Sequence, residues 1–431
     1  MQFLGLRQKY RALCMGVIER WDVFKQAFHQ VFTRELVNPT ISVVGIGTYY
    51  GATILQHDFL EDLLARHCHH SPVVMKTWSL IERSGIKHLC SVLPLDDPIW
   101  HQQALPTIAD TDALFKRHAL PLVASAARYA ISEWGGSVEA ITHVVAVTCT
   151  NTANPGFDIT LCSTLGLPPT VHRTLLHGLG CAGGIAALRT AYYLVLGAAF
   201  QGQPARALVV SCDLPTIFAR AELHRINLDK EVGFGLSRFS DGASAMMVTN
   251  WLDTKVAERA AIWDLLGFRS VIIDESEGYS ELNIGPHGYK PTISAFIPKL
   301  VSSELFPNFT ALVNSIPCLC SDPYSNLPDC YNWAVDFPSC SSLSFAQRAL
   351  DLKRHNTVDS YTVYKSRGST ISSTVLNILD HMRSQSYVNE GGSRRRGKVI
   401  ALAIGPGVIM EMAVLRKVTR DNLHYSALWC E

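Results

Sequence analysis

The strongest chemical signal in the chain is His177 to Ala191, HGLGCAGGIAALRTA, in which Cys181 follows a glycine turn and opens a helix of small residues. The partial positive charge of a helix N-terminus favours a thiolate, the nucleophilic form of cysteine. The glycines let backbone approach closely, which leaves room for a bulky thioester and presents amide donors to an oxyanion. The chemistry on offer is acceptance of an acyl group. A cysteine at a tight helix–sheet contact would look the same if it stood alone.

The elements that must hold this turn alternate in character. Ile41 to Gly47 (ISVVGIG) reads as a buried strand, and Phe59 to His67 and Val74 to Ser84 as helices. Pro121 to Trp134 reads as a longer helix ended by Gly135 and Gly136, followed by a strand over Ile141 to Cys149. Strands recur at Ala207 to Cys212, Ala243 to Val248 and Val399 to Ile404, so a layered α/β protein with covered sheets is expected. From about Ile272 to Asp351 the pattern is poorer and reads as an elaborated loop region or cavity wall.

Composition sets the outer limits. The 431 residues carry 38 Lys+Arg against 37 Asp+Glu, a formal charge of 38 − 37 = +1, which excludes a dominant nucleic-acid surface. With 48% hydrophobic and 17% charged residues, the chain can bury a large core and a subunit interface as well. No apolar run of about 18 residues appears, so no membrane span is expected. Residues 1–40 read as an amphipathic helical extension without a secretory signal. The 12 cysteines are scattered singly, which fits a reducing, cytoplasmic setting. The tract GGSRRRGK at Gly391 to Lys398 reads as a solvated hairpin loop.

The run from Ile141 to Gly184, ITHVVAVTCTNTANPGFDITLCSTLGLPPTVHRTLLHGLGCAGG, resembles the segment leading to the nucleophilic cysteine of chalcone synthases and other type III polyketide synthases. ISEWGGSVEA before it, FSDGASAMMV at Phe239 to Val248 and AIGPGVIMEMAVLR at Ala403 to Arg416 agree in order and distance, so the likeness covers roughly Ile41 to Lys417. The resemblance implies an α/β thiolase-like fold, a duplicated αβαβα five-layered architecture, and a homodimer. Its halves would be residues 41–255, with the nucleophile, and 256–431. It implies Cys181 as nucleophile, Phe218 as a gatekeeper at a coenzyme A tunnel, and Thr150 and Gly407, beside Pro406, among the substrate-binding positions. Lys76 and Arg83 match two of three basic positions that meet coenzyme A phosphates, the third being Ser79.

Two catalytic positions depart from the family. The family's Trp-x-x-His-Pro-Gly-Gly motif aligns with Trp333 to Ser339, which puts Asp336 where histidine belongs. Its Gly-Asn motif aligns with Gly368-Ser369, and the separation 369 − 336 = 33 equals the family spacing. A histidine can hold a thiolate as an ion pair and donate to a developing enolate; an ionised aspartate does neither. At about 4 Å and an effective dielectric near 20, two like charges repel by about 4 kcal/mol, roughly three powers of ten in rate. Malonyl decarboxylation should therefore be largely lost unless burial protonates Asp336.

An aspartate can still accept a proton from an alcohol, an amine or an activated carbon acid. The expectation is acyl transfer through Cys181 to a hydroxyl or amine, or ring closure on a preformed chain, with Asp336 and Ser369 beside it, from acyl-CoA or a carrier-protein thioester and with no tightly bound cofactor. His287, in GPHGYK, is the candidate for a surrogate imidazole, which would restore a decarboxylative synthase; a non-catalytic partner subunit is the third possibility. Neither His67-Cys68-His69-His70 nor Cys318, Cys320, Cys330 and Cys340 has paired Cys-x-x-Cys spacing, so no metal site is expected.

Overall fold

The computed structural model describes residues 39–252, 261–336, 340–385 and 397–418, without the side chains of Cys340 and Ser341. The N-terminal extension, the Phe337 to Ser339 part of the shifted motif and nearly all of the basic tract lie outside the described residues. The first half contributes β1 (Ile41–Tyr50), β2 (Thr53–Leu55), β3 (Leu89–Ser91), β4 (His143–Val147), β5 (His172–Leu176), β6 (Arg206–Asp213) and β7 (Gly242–Thr249). The second contributes β8 (Trp263–Ile272), β9 (Ser280–Gly285), β10 (Gly288–Ile293), β11 (Asn332–Asp336), β12 (Lys398–Gly405) and β13 (Ile409–Lys417). The helices that matter below are α1 (Pro72–Arg83), α2 (Ile108–Trp134), α3 (Gly183–Phe200), α4 (Ile297–Asn314), α5 (Cys340–Ala349) and α6 (Thr374–Arg383).

Strand alternation generates the layers. In β4, Val144 and Ala146 join a core with Phe115 and Val123 of α2, whereas Val145 and Val147 join a second core with Ile185 and Leu188 of α3. In β12, Ala401 and Ala403 face that same second core, and Ile400 and Leu402 face a third with Leu305 and Phe309 of α4 and Leu343 of α5. Successive side chains of a strand point to opposite faces, so each sheet is covered on both sides. The order is α2, first sheet, α3 with α6, second sheet, then α4 with α5, which is the five-layered thiolase-like arrangement. The sheets meet in one strand order, β5-β4-β6-β7-β1-β8-β13-β12-β11, joined where Ile41 to Val43 pair with Trp263 to Leu265.

Two sequence expectations need correction. The long helix begins at Ile108, thirteen residues before Pro121 (121 − 108 = 13), because Thr107 and Asp110 form a capping box. Pro121 is carried inside the helix. The stretch read as a loop or cavity wall holds β9, β10 and the 18-residue α4; Pro298 near its start and Pro307 within it masked the helical pattern. The segment Gly180–Phe200 is long and apolar enough by composition to cross a membrane. Here it is the central core helix, with Ile185, Leu188, Ala191 and Val195 buried between the sheets.

Close approach in the central layer depends on glycine. A Cβ on Gly184 would lie 2.1 Å from the Ser372 carbonyl oxygen. Gly184→Ala should destabilise the protein by about 1–3 kcal/mol, as overpacking does, although alanine is intrinsically the better helix former. Chemical denaturation of the two proteins measures it.

Candidate active site

Cys181 lies in the short turn Gly180–Ala182 between β5 and α3. Gly178 and Gly180 take φ of 79° and 47°, left-handed conformations that glycine adopts freely. A Cβ on Gly180 would come within 2.4 Å of Pro406 Cδ, and one on Gly405 within 2.2 Å of the Leu179 carbonyl oxygen. The turn after β12 is thus packed onto the Cys181 turn, and elements more than 200 residues apart in sequence build the site.

Asp336 closes β11 and is 2% exposed; Ser369 is fully buried. Ser369 Oγ donates to Asp336 Oδ1 at 3.4 Å, lies 3.0 Å from Thr374 Oγ1, and accepts from the Ile371 N–H at 3.2 Å. Asp336 Oδ2 has no hydrogen-bond partner among the described residues. Burial pushes the Asp336 carboxyl up to about 7, against the opposing pull of Cys181, Thr374 and Ser369. Burial, then Asp336, then Asp213 push the Cys181 thiol well above its usual range. The expected helix-end preference for thiolate is overridden, and the resting pair is a thiol beside a carboxyl near half-protonation at neutral pH.

Asp213, at the end of β6, was not singled out in the sequence. It is fully buried and accepts from Thr148 Oγ1 (3.1 Å), the Cys149 N–H (2.8 Å), Thr150 Oγ1 (3.1 Å), the Ser372 N–H (3.0 Å) and the Ser372 hydroxyl. It ties the end of β4 to the head of α6 across the seam of the halves. Desolvation outweighs these donors and raises its pKa. A lone aspartate at a strand end carries no local signal of this role, since its partners are 63 to 159 residues away.

Cys181 opens on a cavity of about 410 Å3 lined by apolar side chains such as Phe234, Leu282, Ile293, Phe345 and Ile404, with Cys149 and Arg238 among the few polar groups. Among the described residues no histidine lines it. His287 is instead held by the Pro106 carbonyl at 3.0 Å beside the His224 ring, so the surrogate-imidazole position is not realised. Thr150 is 4% exposed and spends its hydroxyl on Asp213 and the Leu214 N–H, which makes it a strut of the site and takes it out of the cavity wall. Phe218 is 8% exposed and packs edge-on against Tyr289 at 5.0 Å, outside the wall. Gly407 has φ of 70° and completes the turn whose Gly405 and Pro406 line the cavity. Lys76 and Arg83 are exposed on α1. Within the His67 to His70 cluster, His67 bonds the Trp100 carbonyl and Cys68 the Leu223 carbonyl.

Because the folded pKa of Asp336 is raised, its protonated form favours folding; that contribution is complete below about pH 4 and is lost as pH rises through about 7. Asp336→Asn should therefore be more stable than the parent at pH 8, by up to roughly 4 kcal/mol for a shift of this size. The difference should shrink toward zero near pH 4. Denaturation midpoints across pH 4–8 test the sign.

Relatives agree with this architecture. Residues 35–250 match the family described as chalcone and stilbene synthases, N-terminal domain. The acylalkylpyrone synthase csyB of Aspergillus oryzae is 37% identical over 385 residues, which cover 89% of this chain and 96% of that protein. The type III polyketide synthase pspB of Penicillium soppii is 28% identical over 398 residues, covering 89% and 98%. The crystal structure of CsyB complexed with CoA-SH superimposes with a TM-score of 0.84 at 38% identity, covering 88% of this chain and all of that one. A type III pentaketide synthase from Neurospora crassa gives 0.83 at 32%, with the same coverage. The chain belongs to the chalcone and stilbene synthase family of type III polyketide synthases.

Proposed function

We propose that this protein is a type III polyketide synthase-like acyltransferase of secondary metabolism that moves an acyl group through Cys181 to a hydroxyl or amine, or closes a ring on a preformed chain, without decarboxylating malonyl-CoA. The observation that carries this reading is the buried Asp336 carboxyl coupled to the Cys181 thiol. Ionised Asp336 accepts the thiol proton as sulfur bonds the thioester carbonyl carbon. The carbonyl–sulfur bond of the donor then breaks, and the proton leaves with the departing thiol. In the second half, the acceptor O–H or N–H gives its proton to Asp336 as the new bond forms, and Cys181 recovers it as its own acyl bond breaks. The thiol is the weaker acid of the pair, so each proton transfer has to accompany bond formation at carbon.

A pKa near 7 gives Asp336 the titration range of an imidazole with one unit less charge in each state. That missing charge matters for malonyl-CoA, whose carboxylate is repelled by the ionised form. Ser369 offers a single hydroxyl, already shared between Asp336 and Thr374, for an enolate oxygen. Acyl-CoA is the preferred donor, given the CoA-SH bound to CsyB and the exposed Lys76 and Arg83 at a two-turn spacing on α1; a carrier-protein thioester is the other form. No tightly bound cofactor and no nucleic acid enter this scheme. A cytoplasmic homodimer is the assembly that fits the family and the single cysteines.

The direct test is incubation with several acyl-CoAs and with malonyl-CoA, recording intact mass and released carbon dioxide, with Cys181→Ala as control. Acylation without carbon dioxide is expected, with a rate that climbs with pH and levels off above about 7 as Asp336 ionises. Cysteine-dependent carbon dioxide with chain extension would overturn the reading; failure of every donor to acylate the protein would favour a non-catalytic subunit. In the reverse direction, Asp336→His combined with Ser369→Asn should raise malonyl-dependent carbon dioxide release by roughly a thousandfold, the factor that a repulsion of about 4 kcal/mol represents.

A further inference from the structure

One charged group in the Cys181 cavity has no partner in the site already described. Arg238 lies in the segment leading to β7, and its carbonyl accepts the Ser369 N–H at 2.8 Å, so its backbone is fixed beside the catalytic cluster. Its half-buried guanidinium lines the same cavity as Cys181 and stacks over the Phe234 ring at 4.8 Å. Among the described residues it makes no hydrogen bond and no ion pair. Tyr364 and then Glu222 are the acids whose charge acts on it, and Glu222 already accepts from the Gly235 N–H at 2.6 Å and the Leu236 N–H at 3.0 Å. The other charged residue of the lining, Glu281, is exposed and bonded by Asn283.

A cation held against an aromatic face in an apolar cavity, partly stripped of water and left without an anion, is a costly arrangement. It becomes favourable when a ligand brings the anion. A guanidinium presents a planar fork of donors that matches a carboxylate in bidentate fashion, and the low dielectric of the cavity strengthens the pair. We propose that Arg238 is a specificity-determining residue that binds a carboxylate of the substrate while the reacting carbonyl sits at Cys181. The substrate class is thus a carboxylate-bearing acyl donor or acceptor: an ω-carboxyacyl thioester, or a hydroxy or amino acid.

This rests on the acyl-transfer reading above and sharpens it. An ion pair to a carboxylate stabilises the ground state of that group, and loss of carbon dioxide destroys the charge that makes the pair. Arg238 therefore favours keeping the carboxylate through the reaction, because only interactions stronger in the transition state speed a step.

The test needs no catalysis. Cys181→Ala protein is titrated calorimetrically with coenzyme A thioethers of graded chain length that end in a carboxylate or in its methyl ester, and separately with free hydroxy and amino acids against their amides. In at least one series the carboxylate should bind about ten- to a hundredfold tighter than its neutral counterpart, the range of a charge-assisted hydrogen bond. Adding Arg238→Met should bring that ratio to about one, and Arg238→Lys should keep part of it. A preference for thioethers assigns the carboxylate to the donor; a preference for free acids assigns it to the acceptor. The inference is overturned by equal binding of every charged and neutral pair, or by a preference that survives Arg238→Met in protein whose thermal unfolding shows it folded; Arg238→Lys serves if the methionine variant does not fold. No bond forms in these titrations, so failure sinks the role of Arg238 alone, whereas failure of the parent protein to acylate sinks the acyl-transfer reading alone.

Discussion

The site depends on one electrostatic pairing at the head of the cavity: a buried carboxyl and a half-buried thiol, each of which acts on the acidity of the other. With an imidazole in place of Asp336, the pair could exist as two opposite charges. With a carboxyl, its states are two neutral groups or a single negative charge. Burial favours the first and pushes both groups upward, the acid to about 7 and the thiol well above its usual range. Such a pair titrates as a unit, and its doubly ionised form is strongly disfavoured.

The architecture explains how this pairing is held in place. Each partner stands at the end of a core element: Cys181 before α3, Asp336 at the end of β11, and Asp213 at the end of β6. The strands and helices behind them are fixed by three apolar cores that contain none of the site's polar groups. Asp213 then stitches the two halves through Thr148, Thr150 and Ser372. Replacing the chemistry at β11 leaves the scaffold untouched, so family membership and reaction type can separate.

What the sequence revealed follows the same division. The glycine turn at Cys181 was legible because it is local, and Asp336 with Ser369 because a 33-residue spacing survived alongside a tryptophan and a glycine. The strands were legible through apolar runs. By contrast, α4 and the first half of α2 were obscured by internal prolines, which local propensity penalises and tertiary packing tolerated. The roles of Thr150 and Asp213 depend on contacts across dozens of residues, which no single segment encodes. Arg238 escaped notice for a related reason: its meaning lies in the missing partner, and a missing partner is visible only once the cavity around it is formed.

The unusual groups of the site also set its energetic logic. Asp336 and Asp213 both have raised pKa values, so their ionised forms oppose folding at neutral pH, and Arg238 adds a cation without an ion pair among the described residues. Natural sequences conflict with their own fold chiefly where function requires it. Asp213 meets five donors and is explained as structure. Among the described residues, Asp336 keeps an empty acceptor and the Arg238 guanidinium keeps unmet donors. These are complementary deficits, one calling for a proton donor beside the sulfur and the other for an anion within the same cavity. A thioester or acceptor that carries both an exchangeable proton and a carboxylate would satisfy each of them, which is why the polar remainder of an otherwise apolar cavity defines the substrate more sharply than its volume does.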